Sequence, residues 1–233
     1  RLYGACERLS IEPPDRMRLR KELMRIASRR SDGVLKLIVT RGVGTRSYRT
    51  TGLERCTRIV SWHPLPAAAA CTRRRAVRVR ICGLRIGSNE LLAGLKTLNR
   101  LESVMARAEW TDDRIWEGLL RDRNDHIICG TMSNLFMRRG SLLLTPAVDR
   151  CGVAGVMRRW VRENAAGIGL RVRESRVRGA ELAGAEEIFL TNAVVGIMPV
   201  RRVDRIRGLE DEPAALFREH GAARGLQALL EGR

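Results

Sequence analysis

An α+β fold in two lobes is what this 233-residue sequence predicts, and three observations carry it. Short apolar runs flank Arg123-Asn124-Asp125 and again Arg139-Gly140, the pattern of two antiparallel hairpins. Stretches with helical spacing of apolar residues lie between and after the strand-like runs. The segment His63-Pro64-Leu65-Pro66, followed by four alanines, reads as a connector. It divides the chain into a small domain at 1–62, a connector at 63–70 and a large domain at 71–233. Hairpins interleaved with helices point away from a doubly wound sheet.

Pro14-Asp15 opens a helix whose stripe is Met17, Leu19, Leu23, Met24 and Ile26, ending before Ser31-Asp32-Gly33. Val34 to Thr40 is a strand of buried type. Gly42 and Gly44 make a loop through Arg46 and Tyr48, and Cys56 to Trp62 is a second, β-branched strand. Ala76 to Ile81 alternates at period two, which predicts a strand with one solvated face. After Lys96 the pattern turns helical through Leu98, Leu101, Val104 and Met105. The two hairpins follow, and Gly155 starts a helix through Val156, Met157, Trp160 and Val161. Glu187 to Thr191 is a strand, and Glu212-Pro213 begins a terminal amphipathic helix containing Leu216, Phe217, Leu226 and Leu230.

Hydrophobic residues are 44% of the chain and charged residues 30%, which supports a packed core and excludes wholesale disorder. No apolar window approaches the length of a membrane-spanning helix. The formal charge of +18 raises nucleic acid as a partner. However, 41 of the 44 basic residues are arginine and they are spread along the chain, as an arginine-favouring codon bias would produce. With 4% aromatics there is no stacking platform for single strands, so no specific nucleic-acid partner is expected. Six cysteines at 6, 56, 71, 82, 129 and 151 contain no CxxC pair and no zinc spacing. They read as reduced thiols in a cytoplasmic protein without a metal site.

Lysine is scarce enough for Lys96 to stand out from Lys21 and Lys36, which lie on a solvated helix face and a strand. Apolar residues flank it in Leu91-Leu92-Ala93-Gly94-Leu95-Lys96. An amine in an apolar setting loses part of its preference for the charged form and becomes nucleophilic toward aldehydes. A lysine that snorkels at a helix start gives the same pattern. Gly152-Val153-Ala154-Gly155 running into a helix offers the free N–H groups of Val156 and Met157 to a phosphate. It also fits an ordinary loop-to-helix turn. Arg46 and Tyr48 could face a carboxylate, or sit at a flexible hairpin tip. Three histidines lack ligand spacing, and Glu186-Glu187 and Asp112-Asp113 read as solvated charges.

Five stretches in register resemble the class IV (fold type IV) pyridoxal-phosphate enzymes, and within them the bacterial aminodeoxychorismate-lyase branch. They are Gly33 to Lys36 with Arg41 to Tyr48, Ala93 to Glu102, Gly130 to Phe136, Gly152 to Arg158, and Asn192 to Val200. The run Lys96-Thr97-Leu98-Asn99-Arg100-Leu101-Glu102 resembles the lyase branch and not branched-chain aminotransferases. The resemblance implies a D-amino-acid-aminotransferase-like fold and a homodimer. It implies that Lys96 carries pyridoxal 5'-phosphate, that Arg1 and the Val156 and Met157 amides hold its phosphate, and that Asn192-Ala193 lines the pocket. Arg46 and Tyr48 would receive the carboxylates of aminodeoxychorismate, which is converted to 4-aminobenzoate and pyruvate in folate synthesis. A D-amino-acid or branched-chain-type aminotransferase, an inactive remnant and a basic binding module are the alternatives. Where the family carries a glutamate for the pyridine nitrogen, this sequence has Cys129. Arg1-Leu2 aligns with the end of the family's His-x-x-Arg-Leu motif, so the first strands of the small domain are expected to be absent.

Overall fold

The computed structural model describes residues 1–30, 32–44, 46, 48–52, 54–66, 75–204, 215–218 and 220–232. The chain divides into two compact units, 1–67 and 68–233. Residues 67–70 of the expected connector and 71–74 after it, Cys71 among them, lie outside the described residues, as do Glu212 and Pro213.

In the first unit, α1 (Leu2–Arg8) and α2 (Arg16–Ala27) precede the strands β1 (Gly33–Thr40) and β2 (Thr57–Pro64). The expected helix start holds: Asp15 is the N-cap of α2, and its carboxylate accepts the Arg18 N–H at 2.7 Å. The two strands pair antiparallel from Gly33↔Pro64 to Thr40↔Thr57. Helix α1 has no counterpart in the sequence reading. Its seven residues carry one buried side chain, Cys6, too little periodicity to detect.

The second unit is built on a mixed ten-stranded sheet. Its strands are β3 (Val77–Arg85), β4 (Ile115–Arg121), β5 (His126–Gly130), β6 (Asn134–Arg139), β7 (Leu142–Pro146), β8 (Arg171–Ser175), β9 (Val177–Arg178), β10 (Glu187–Asn192), β11 (Gly196–Asp204) and β12 (Ala215–Leu216). The order is β8-β7-β6-β10-β11-β3-β4-β5-β9, with β12 added on β11. Three helices accompany it: α3 (Leu101–Arg107), α4 (Val156–Asn164) and α5 (Gly221–Leu230). Both expected hairpins form, β4–β5 and β6–β7, with left-handed turn residues Asp125 (φ 61°) and Gly140 (φ 56°).

Four expectations need correction. Strand β3 is not a half-solvated strand. It runs parallel to both β11 and β4, and its alternate residues Arg78 and Arg80 are partly buried. Arg78 pairs with Asp204 at 2.5 Å, while Arg80 reaches Glu109 and lies over the Trp110 ring. Charge pairing thus covers the face that polarity assigned to water. The helix after Lys96 spans only Leu101–Arg107, and its apolar stripe of Leu101, Val104 and Met105 points outward, leaving Ala106 as its one buried residue. The terminal helix begins at Gly221, because Ala215–Leu216 instead pairs with β11. Finally, Glu187 is fully buried: its carboxylate accepts the Ala222 and Ala223 N–H groups at 2.9 and 2.8 Å, capping α5 from β10. A carboxylate at a helix start gains from both hydrogen bonds and the helix dipole, which offsets its burial.

Candidate active site

The end of the sheet where β5, β6 and β10 meet the loops gathers most of the residues singled out in the second unit. The Lys96 segment and the glycine loop are joined backbone to backbone. Gly94 and Val153 form a parallel bridge, with Gly94 N–H donating to Gly152 O at 3.1 Å and Ala154 N–H donating to Gly94 O at 2.9 Å. Lys96 follows two residues on and is exposed. Of its apolar flanks, Leu91, Leu92 and Leu98 are exposed as well, whereas Ala93 and Leu95 are buried. Arg100 braces the segment, donating to Leu95 O, Thr97 O and Thr97 Oγ1 at 3.2–3.3 Å.

Val156 and Met157 open α4, whose N-cap Gly155 supplies no side chain to the first turn. A Cβ at Gly155 would overlap Asn134 Oδ1, so glycine is what lets the loop lie against β6. Asn134 in turn donates from Nδ2 to Val153 O at 2.8 Å. The first N–H groups of a nine-residue helix are therefore presented without a side-chain partner, an arrangement suited to an anion. Thr191 pairs with Asn134 across β6 and β10, is 1% exposed, and its hydroxyl has no hydrogen-bond partner among the described residues. Asn192 and Ala193 come next. The Asn192 Oδ1 accepts the Val194 and Val195 N–H groups, which fixes the turn into β11.

Cys129 lies on β5 opposite Leu120 and is buried. Burial, then the Glu117 and Cys151 charges, push its thiol up to about 12, so it is neutral at pH 7. Arg1, Arg46 and Tyr48 belong to the first unit. Arg1 is the N-cap of α1, and Arg46 and Tyr48 are exposed between β1 and β2.

Glu117 was missed by the sequence reading. It is 0% exposed on β4 and accepts the Gly118 N–H at 3.0 Å, Thr131 N–H at 3.1 Å and Oγ1 at 2.5 Å, Met132 N–H at 3.1 Å and Ser133 Oγ at 2.8 Å. One carboxylate thus ties down the whole turn between Cys129 and Asn134. The hydrogen bonds favour its ionised form, but burial outweighs them and raises its pKa. A lone acid inside the apolar run Ile115 to Leu120 was the available signal.

Glu117→Gln is expected to destabilise the fold by about 1–3 kcal/mol, because the amide NH2 would face N–H donors. The native chain has a pH signature as well. A carboxyl whose folded pKa is raised loses stability as pH climbs from the ordinary glutamate range near ~4.3 through the folded value. The glutamine variant lacks that slope. Denaturant midpoints measured across this window check both points, and parallel pH profiles would contradict the burial argument.

The sequence profile described as amino-transferase class IV matches residues 1–203. The chain belongs to this family. Among class IV relatives, it is 32% identical over 179 residues to an aminodeoxychorismate lyase of Vibrio harveyi, covering 77% of this chain and 66% of that one. It is 28% identical over 208 residues to a putative branched-chain-amino-acid aminotransferase of Methanocaldococcus jannaschii, covering 88% and 71%. The crystal structure of 4-amino-4-deoxychorismate lyase from Pseudomonas aeruginosa superimposes with a TM-score of 0.90 at 42% identity, over 100% of this chain and 82% of that one. The class IV fold extends to the Escherichia coli branched-chain aminotransferase, at a TM-score of 0.78 and 19% identity, over 99% and 75%.

Proposed function

We propose that this class IV chain is a pyridoxal-phosphate-dependent lyase that converts 4-amino-4-deoxychorismate to 4-aminobenzoate and pyruvate. The observation that carries the reading is the backbone junction of Gly94 with Gly152 and Ala154, which brings a lysine segment against an uncapped helix start. The likeness to the Pseudomonas aeruginosa lyase supports the substrate. The cofactor's phosphate fits the cradle: glycine is required at 155, the Val156 and Met157 N–H groups lack a side-chain partner, and the Thr191 hydroxyl is unsatisfied beside it.

In this reading Lys96 holds pyridoxal phosphate through its amine, Val156 and Met157 hold the phosphate, and Asn192-Ala193 lines the pocket. Arg46 and Tyr48 receive the substrate carboxylates. When bound, the cofactor supplies an electron sink for the carbon that carries the substrate amine. The Lys96 amine is the base that removes the ring proton, and aromatisation drives the loss of pyruvate. Cys129 would face the ring nitrogen, since it occupies the position of the family's glutamate. A neutral thiol offers no counter-charge to a protonated pyridine. That favours an elimination ending in an aromatic ring over transamination, which depends more on the sink.

The reading also takes 1–62 as a small domain and 71–233 as the large cofactor-binding domain of a cytoplasmic homodimer. Among the described residues no helix is long and apolar enough to cross a membrane. The outward stripe of Leu101, Val104 and Met105 on α3, continued by exposed Leu98, is the kind of apolar face a second copy covers. The test compares pyruvate release from aminodeoxychorismate with amino transfer from D-alanine or leucine to 2-oxoglutarate, on protein whose mass in solution is measured in parallel. Faster pyruvate release by a dimer is expected. Equal or better amino transfer would assign the chain to the aminotransferases instead.

A further inference from the structure

In the first unit, two cysteines are brought to one corner by elements far apart in the sequence. On β2 the even-numbered residues face α2 and the turn after it: Arg58 bonds Glu22 of α2 through two contacts at 2.9 and 2.7 Å, and Trp62 lies under Arg30, beyond the helix end, 5.3 Å from the ring centroid. Cys56, directly before β2, is in the same phase and is half-buried. Cys6 is the one buried side chain of α1.

The end of α1 is fastened beside Cys56. Ile11 N–H donates to Cys6 O at 2.8 Å, closing the turn after the helix. Arg41 donates to the Ser10 and Leu9 carbonyls, each at 2.5 Å. Arg41 stands one step beyond the Thr40↔Thr57 pair, which puts it opposite Cys56. Gly42, at φ 101°, continues the approach, since a Cβ there would overlap Arg55 O. The side chains respond to each other too: the Cys56 sulfur adds to burial in raising the Cys6 pKa, and Arg58 hydrogen-bonds Cys56.

We propose that Cys6 and Cys56 are a redox-active dithiol that closes to an intrachain disulfide by exchange with a low-molecular-weight disulfide such as oxidised glutathione. Cys56, the more exposed sulfur, attacks as the thiolate and breaks the glutathione S–S bond, releasing one glutathione thiolate. The Cys6 thiol then gives its proton to solvent and attacks the Cys56 sulfur, releasing the second glutathione. Two protein thiols are oxidised and one disulfide is reduced. The other described cysteines stay out of the exchange. Burial pushes Cys82 and Cys129 up to about 12 and Cys151 up to about 11, so they present almost no thiolate at pH 8. This inference does not depend on the lyase reading.

The experiment uses the full chain with Cys71→Ser, oxidised glutathione at pH 8, and intact-mass and peptide-map readouts. The parent is expected to lose the mass of two hydrogens, retain no glutathione, and yield a linked Cys6–Cys56 peptide. Cys6→Ser is expected to hold glutathione on Cys56, with a lifetime about tenfold longer or more than in the parent, because the intramolecular thiol acts at high effective concentration. Cys56→Ser should remain unreacted. Glutathione persisting on Cys56 of the parent, a different linked pair, or no reaction at all would each overturn the proposal. The linked peptide is read on the parent itself, so misfolding of a serine variant does not remove the test.

Discussion

Lys96→Ala is expected to abolish the absorbance band near the visible edge that the loaded protein should show, and to slow pyruvate release by roughly a hundred- to ten-thousandfold, the range of a lost general base. The other two lysines offer no substitute. Lys21 lies exposed on α2 and Lys36 exposed on β1, both in the first unit. Lys96 sits outside any helix or strand, and the neighbouring bonds from Arg100 go to Leu95 and Thr97. A thermal midpoint measured on parent and variant in parallel separates lost chemistry from lost structure. An unaltered band in the alanine variant would mean that the amine is not the cofactor's attachment point.

Cys129→Glu should speed single-turnover pyruvate release by about ten- to a hundredfold at matched cofactor occupancy. A carboxylate against a protonated ring nitrogen is a charge-assisted hydrogen bond of roughly 1.5–3 kcal/mol, and each ~1.4 kcal/mol felt in the transition state is tenfold in rate. The site makes this gain conditional. Val153 N–H bonds the sulfur, and a new carboxylate would feel Glu117 as a like charge. Without cofactor, the variant should therefore be less stable than the parent, and cofactor should restore more stability to it than to the parent. A slower or unchanged rate would show that the packing around the thiol, and not a missing charge, sets the chemistry.

How much of this was legible in the sequence depended on how local each interaction is. The β4–β5 and β6–β7 hairpins are set by turn residues and runs within a dozen positions, so composition revealed them. The parallel neighbours of β3 were invisible, since β11 arrives more than a hundred residues later. Arg78 and Arg80 looked solvated because their partners Asp204 and Glu109 are distant in sequence. At the candidate site, Lys96 and the Gly152–Met157 loop stood out by residue type, but the bridge joining them could not be read. The α3 stripe was periodic and pointed the other way, because periodicity says that a face wants cover and not what covers it. Glu117 and Glu187 show the converse: buried acids held mostly by backbone N–H groups, with two hydroxyls added at Glu117 and Arg138 at Glu187, leave little pairing signal in the sequence.

The Gly94–Val153 bridge also sets a schedule for biosynthesis. Its two halves are about sixty residues apart, and closing so long a loop must wait until the hairpins between them have shortened the effective path. During translation, the lysine leaves the ribosome well before the helix start it is to meet. Strand β3 waits longer still, holding one open edge until β11 emerges. The nascent protein thus passes through an interval in which the hairpins are made and the anion cradle is not. A ribosome that stalls before β11 leaves an unpaired, aggregation-prone strand edge.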